Sequence, residues 1–375
     1  MNILNYLKTY KDTTFEEMSF NEVDSLILSE LSYMNLNMYA PTLDENKFVR
    51  LSKMRIYNSK TFAYGSVDAK KNLKMIDLMK HGERFKGLQI GLCKEKTSEG
   101  DKKATQFFAV TFILPNDVLY IAYRGTDITI NGWKEDFHMT IMDTIPSQRD
   151  ALAYAKTVLT RINEPYYLGG HSKGGNLAFY TAFNLDNRDF EERLIKVYSF
   201  DGPGFKNGVK AYPSYEAIKD KIVKYMTNRD MVGIVYNNFR RNAIIINGTG
   251  ILLGGHDPFS WQVNVTRARF VRSRRLKAYK NTEVAFNKWL KSVSEEDKVL
   301  ACDIVFDLLK DAKTVYDLPK AVGKILFHGK EMLQDYTPEE KDRIIKIVKK
   351  LVEQFMVVNF NFISTPKKIE KKDGK

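Results

Sequence analysis

The run Leu168-Gly169-Gly170-His171-Ser172-Lys173-Gly174-Gly175-Asn176 constrains this chain more than any other segment. Within it, Gly170-x-Ser172-x-Gly174 sets one hydroxyl between residues that lack Cβ atoms. Such spacing suits a strand that turns directly into a helix. The serine takes a strained backbone, and the turn closes only if its neighbours carry no side chain. Oγ is then exposed above a sheet, and the next backbone N–H faces the same space. A chain of 375 residues gives roughly 0.1 chance matches to the bare pattern at ordinary glycine and serine usage. The competing reading is a glycine-rich phosphate-binding or packing turn. A strand before the motif and an apolar helix after it, with Leu177, Ala178 and Tyr180, favour a nucleophile.

The pattern on either side extends this into an architecture. Asn21 caps an expected helix over 21–34, with Val23, Leu26, Ile27 and Leu31 on one face. Residues 40–82 mix helical and loop signals, and strand character begins near 86. The runs 106–114 and 117–124 flank Pro115-Asn116 and predict a hairpin. Elements then alternate: helix over 149–162, strand at 166–168, helix over 173–184, strand over 195–200, helix over 212–222, and strands at 222–227 and 243–247. Alternation of this kind predicts an α/β fold with a mainly parallel sheet covered on both faces, and ligands at the carboxyl ends of its strands. After about 283 the sheet pattern stops. Ser294 opens a helix with Leu300, Ile304 and Leu308 on one face. Thr337-Pro338-Glu339-Glu340 is a capping box opening a second, expected to bury Ile344, Val348, Leu351 and Phe355. We therefore expect a domain over 1–285 with helical decoration at its N-terminus, and a helical region over 286–375 whose tail, KKIEKKDGK, is disordered.

Composition excludes several classes. Apolar content of 43% and charged content of 28% are those of a globular chain. No run approaches the ~20 apolar residues of a membrane span, and the N-terminus has no long apolar stretch of the signal-peptide kind. Cys93 and Cys302 are far apart and lack metal-type spacing, so we expect neither disulfide nor zinc site and a cytoplasmic location. The net charge of +13 is unevenly placed. Residues 266–280 hold Arg267, Arg269, Arg272, Arg274, Arg275, Lys277 and Lys280 with no acid. That segment is either a solvated basic face or a contact for phosphates of an anionic membrane; nucleic acid is the less expected partner.

With Ser172 as nucleophile, the order serine, acid, histidine tests the five histidines. Only His256 and His328 follow the serine. His328 stands in a helical, lysine-bearing stretch, whereas His256 lies in the flexible turn Leu253-Gly254-Gly255-His256-Asp257 beyond a strand. His256 is the expected base. Two carboxylates end strands in the required interval. Asp230 follows 222–227; Asp201 follows 195–200 but precedes Gly202-Pro203-Gly204, which reads as a turn where aspartate bonds its own backbone. Asp230 is preferred and Asp201 held as the alternative acid. Two donors must hold an oxyanion. The Lys173 N–H is one. Thr126, in Tyr123-Arg124-Gly125-Thr126-Asp127, is the other candidate through its N–H and hydroxyl, unless that segment is only a strand-terminating turn.

Taken together, Arg124-Gly125-Thr126, Trp133 with Asp136, Gly170-His171-Ser172-x-Gly174-Gly175 and Asn228-x-Asp230-x-Val232 resemble the fungal-type triacylglycerol lipases. The chain is still more similar to a bacterial family of lipase-like α/β-hydrolases that carry GHSKGGN, a DGPGF-like segment (201–205 here) and an HDPFSW-like segment (256–261 here). The resemblance spans about 20–285. It implies the α/β-hydrolase fold, Ser172, Asp230 and His256 as triad, and Thr126 and Lys173 as oxyanion donors. It also implies a stretch at about 127–146 that borders the acyl site as a lid would, with Arg124 and Asp136 paired there. Lys173 stands where those lipases have an apolar residue, and a charge beside the nucleophile would favour an anionic substrate. The expected activity is hydrolysis of an acyl ester or lipid-derived substrate, without cofactor or metal. The alternative is a non-catalytic regulatory protein attached to an anionic membrane or nucleic acid through 266–280.

Overall fold

The computed structural model describes residues 1–309 apart from 64–65, 67, 99–104, 128–129, 211, 240–241 and 251, together with 317, 336–347 and 349–350. His328, Val348, Leu351, Phe355 and the C-terminal tail lie outside the described residues. The framework is a sheet of eight strands in sequence order: β1 (Phe48–Arg50), β2 (Gln89–Ser98), β3 (Thr105–Ile113), β4 (Leu119–Tyr123), β5 (Tyr166–His171), β6 (Leu194–Phe200), β7 (Ile222–Thr227) and β8 (Ile244–Ile246). Strands β1 to β4 pair antiparallel, and β4 to β8 pair parallel. This is the α/β-hydrolase arrangement. The predicted hairpin is β3–β4, its turn closed where Leu114 N donates to Val118 O at 2.9 Å.

Eight helices matter for the site: α1 (Ile3–Tyr10), α2 (Glu22–Leu31), α3 (Ala69–His81), α4 (Ile130–His138), α5 (Pro146–Arg161), α6 (Lys173–Asn184), α7 (Lys277–Ser292) and α8 (Glu295–Leu308). Alternation along each strand sends side chains to two cores. Phe108, Val110, Tyr120, Ala122, Tyr198 and Phe200 face α1, α2 and α3. Phe107, Ala109, Ile121, Tyr123 and Val197 face α5 and α6. The sequence left α1 unassigned although Asn2 caps it, and α4 and α7 were also missed.

Helix α2 is buried all round. The Asn21 side chain accepts the Val23 and Asp24 N–H groups, as its capping role requires. Ser25 and Ser29 lie 2.8 and 2.9 Å from Tyr120 Oη on the sheet. Asp24 takes the Arg84 guanidinium in a fully buried fork, Nε to Oδ1 at 2.9 Å and Nη2 to Oδ2 at 2.6 Å. In the C-terminal region Ser294 caps α8, with Ile304 buried and Leu300 half-buried, while the Leu308 side chain lies outside the described residues. Thr337 and Glu340 make the capping box, and Ile347, rather than the half-buried Ile344, packs with Tyr236, Trp289, Leu290 and Val293.

Candidate active site

Strand β5 runs into α6 through Ser172, whose φ of 59° and ψ of −134° are left-handed and strained for a residue with a side chain. The conformation costs about 1–3 kcal/mol and persists only where its surroundings fix it. Ser172 N donates to Phe200 O at 2.9 Å, and Gly175 N to Ser172 O at 2.9 Å. The glycines are there for contact: a Cβ on Gly170 would lie 2.3 Å from the Gly174 carbonyl carbon, and one on Gly174 would lie 2.0 Å from Tyr123 O. The elbow expected from Gly170-x-Ser172-x-Gly174 is present.

His256 follows the turn Leu252–Gly255 and packs on His171, the residue before the serine. Its ring centroid lies 4.3 Å from that of His171, tilted 33°. His171 Nε2 is 2.9 Å from His256 O, and Nδ1 is 3.2 Å from Tyr33 Oη. A carbonyl only accepts, so the His171 proton sits on Nε2, and burial holds that ring neutral, well below the usual histidine range. His171 thus fixes the His256 backbone. Neither its role nor that of Tyr33, at the end of α2, had a signal in the sequence beyond adjacency to the serine.

Both candidate acids reach the same imidazole. Asp201 Oδ2 lies 3.4 Å and Asp230 Oδ1 3.7 Å from His256 Nδ1. Asp201 is not the self-bonded turn that the sequence suggested. Its Oδ1 accepts Thr227 N, across on β7, at 2.9 Å, and Asp230 Oδ1 accepts Val232 N at 2.7 Å. Burial alone would depress the imidazole, but the two carboxylates overcome it and raise His256 to about 9. Burial and the charge of Asp230 push Asp201 up to about 7. For Asp230 the burial effect is outweighed by His256 and Arg275, and its carboxyl sits below the ordinary aspartate range. His256 Nε2 has no hydrogen-bond partner among the described residues, so the bond to Ser172 Oγ is not made in this conformation. Asp201, Asp230 and His256 are also where three metal-type donors converge within 4.8 Å among the described residues. An imidazole between two acids beside a strained serine fits a proton relay equally well.

On the oxyanion side Thr126 follows β4, and a Cβ on Gly125 would fall 3.0 Å from Ser172 Cβ. The Thr126 hydroxyl donates to Asp136 Oδ2 at 2.6 Å, which leaves the Thr126 N–H as the donor available to a substrate. Arg124 does not pair with Asp136: its guanidinium crosses β3 over the Phe108 ring, 4.6 Å from the centroid, and its Nη2 meets Glu95 Oε1 on β2 at 2.7 Å. Lys173 also departs from expectation. Its ammonium is buried, 2.8 Å from Glu135 Oε2 and 2.9 Å from Gln106 O, and faces no substrate. Glu135 further accepts Gln106 N, Ser147 N and Ser147 Oγ, and Gln106 Oε1 accepts Asp127 N. One buried polar cluster therefore links Lys173 and Asp127 through Glu135 and Gln106, and α4 is bonded to its surroundings at Glu135 and Asp136; residues 128–129 lie outside the described residues.

No helix among the described residues is long and apolar enough to cross a membrane. A solved structure described as the crystal structure of M37 lipase overlaps 60% of this chain and 73% of its own, at 16% identity and a TM-score of 0.38, a likeness too slight to extend to function. No curated protein matches the sequence. The Mbeg1-like profile matches residues 79–307, from the end of α3 through the elbow and both acids to α8. With well over half of its length so matched, and with the sheet, elbow and imidazole all inside that span, this chain belongs to the Mbeg1-like family.

Proposed function

We propose that the chain is a serine hydrolase that cleaves an acyl ester or lipid-derived substrate through an acyl-enzyme. The observation that carries this reading is Ser172, left-handed at a strand-to-helix turn, preceded by His171 whose ring packs on an imidazole flanked by two buried carboxylates. Ser172 Oγ attacks the acyl carbon as its proton passes to His256 Nε2, after a ring adjustment that closes the missing hydrogen bond. The N–H groups of Lys173 and Thr126 hold the oxyanion. The tetrahedral adduct expels the alcohol, which takes the proton from His256. Water then repeats the sequence and frees the acid. The carboxylates stabilise the imidazolium, and Asp230 keeps the role of acid that the family resemblance implies, with Asp201 beside it. The buried Lys173 gives no support to an anionic substrate.

A fluorophosphonate probe tests this directly. Wild type is expected to label, with labelling lost in Ser172→Ala and slowed at least about 100-fold in His256→Ala. A folded wild type that does not label overturns the reading. We further propose that the basic segment touches an anionic membrane. Arg267, Arg269, Arg274, Lys277 and Lys280 are exposed, whereas Arg275 serves the fold, with Nη1 on Thr227 O at 3.0 Å and Nη2 on Asp230 O at 3.2 Å.

A further inference from the structure

Two successive strands end alike. Strand β5 ends at Ser172, with φ of 59°, and β6 ends at Asp201, with φ of 49°. Asp201 is fully buried, and a buried carboxylate is costly unless a neighbouring group answers its charge. Its Oδ1 is satisfied by Thr227 N, and Asp230 likewise spends Oδ1 on Val232 N; among the described residues the Oδ2 atom of each has no hydrogen-bond partner. Among the described residues neither carboxylate forms an ion pair with a lysine or arginine. Arg275 bonds the Asp230 carbonyl, and Lys224 Nζ bonds Gly233 O and Asn237 Oδ1. The side chain within ion-pair distance of each is His256, at 3.4 and 3.7 Å. Both distances exceed the ~2.8 Å of a charge-assisted bond. The ring carries one Nδ1–H and sits between two acceptors, committed to neither, so that a small tilt engages either one.

We propose that Asp201 and Asp230 act on His256 as an interchangeable pair of positioning carboxylates, each able to orient the imidazole when the other is removed, and that together they hold its proton more tightly than a single acid would. The proposal deepens the hydrolase reading and rests on it for turnover, but not for the state of the ring. Glu30 on α2, Asp136 on α4, His171 on β5, Asp257 beside the base and the cations Lys224 and Arg275 also face this region, and all are unchanged between the variants below.

The test compares wild type with Asp201→Asn, Asp230→Asn, the double variant and Asp201→Gly, after circular dichroism has established folding. Two readouts are taken: an NMR titration of the His256 imidazole without substrate, and kcat and KM against pH on p-nitrophenyl butyrate. In each single Asn variant the imidazole titration and the acid limb of kcat/KM are expected to fall by about one pH unit or more. Plateau kcat should stay within about 30-fold of wild type in the singles and drop about 10⁴-fold in the double, the size of loss known for a triad left without its acid. Asp201→Gly relaxes the left-handed backbone, so a merely structural Asp201 would leave the imidazole titrating as in wild type; the pair predicts the same downward shift as Asn. The proposal falls if Asp201→Asn leaves the titration unmoved, or if Asp230→Asn alone loses as much kcat as the double. Should wild type neither label nor turn over, the hydrolase reading falls while the NMR titration still decides the pair.

Discussion

Replacing Lys173 by methionine removes a buried charge without removing much volume. In the native protein Glu135 is held by four donors, of which the Lys173 ammonium is the charged one at 2.8 Å, and both side chains are fully buried. Burial would raise the Glu135 carboxyl, but Lys173 outweighs it and keeps the group below its ordinary range. Lys173→Met therefore leaves an uncompensated buried carboxylate, for which about 3–5 kcal/mol of lost stability is expected. For a chain of this size that corresponds to a Tm lower by about 4–6 °C. Adding Glu135→Gln removes the stranded charge, while the amide oxygen still accepts Gln106 N and the amide NH2 faces the Ser147 hydroxyl, which can accept from it. The double variant should therefore be at least about 2 kcal/mol more stable than the sum of the singles. The sign with pH follows from linkage. Glu135 with a depressed folded pKa stabilises wild type above its unfolded pKa, and that contribution fades as pH falls through the folded value. The gap between wild type and Lys173→Met should thus shrink from pH 7.5 to pH 4. Urea and thermal unfolding at both pH values measure it. Additive single variants, or a gap that widens in acid, would refute the reasoning.

Glu30 is buried and raised to about 8, first by burial, with Asn72 Nδ2 at 2.8 Å opposing. A raised folded pKa gives stability that is full below the unfolded value and is lost as pH climbs through about 8, so Glu30→Gln should gain up to about 5 kcal/mol over wild type at pH 9 and little at pH 4; parallel Tm-against-pH curves would speak against it. Gly125→Ala sets a Cβ 2.5 Å from His171 O and 2.2 Å from Tyr33 Oη, and fluorophosphonate labelling should slow more than about 10-fold through a displaced Thr126 N–H; wild-type labelling would show that the loop gives way freely. Charge reversal at Arg267, Arg269 and Arg274 should weaken sedimentation with phosphatidylserine vesicles at low salt and leave Tm within about 1 °C, and unchanged sedimentation would leave the segment a solvated face.

Local physics made much of this protein legible in its sequence. Residues without Cβ atoms around Ser172 admit one tight turn, and helix α6 and strand β7 begin and end where the chain's own pattern puts them, because cap chemistry and side-chain period act between near neighbours. The order of serine, acid and histidine along the chain was likewise enough to bring Ser172, His256 and the two candidate acids, Asp201 and Asp230, into view. What sequence could not decide is set by distances between residues far apart. Asp201 looked like a turn because Gly202-Pro203-Gly204 follows it, yet parallel pairing of β6 with β7 carries it to the Thr227 amide and to His256. Lys173, next to Ser172 in the chain, suggested a charge turned toward an anionic substrate, yet its ammonium is buried against Glu135, 38 residues earlier. Charge placement in a low-dielectric interior depends on which strands lie side by side, and only the folded chain settles that.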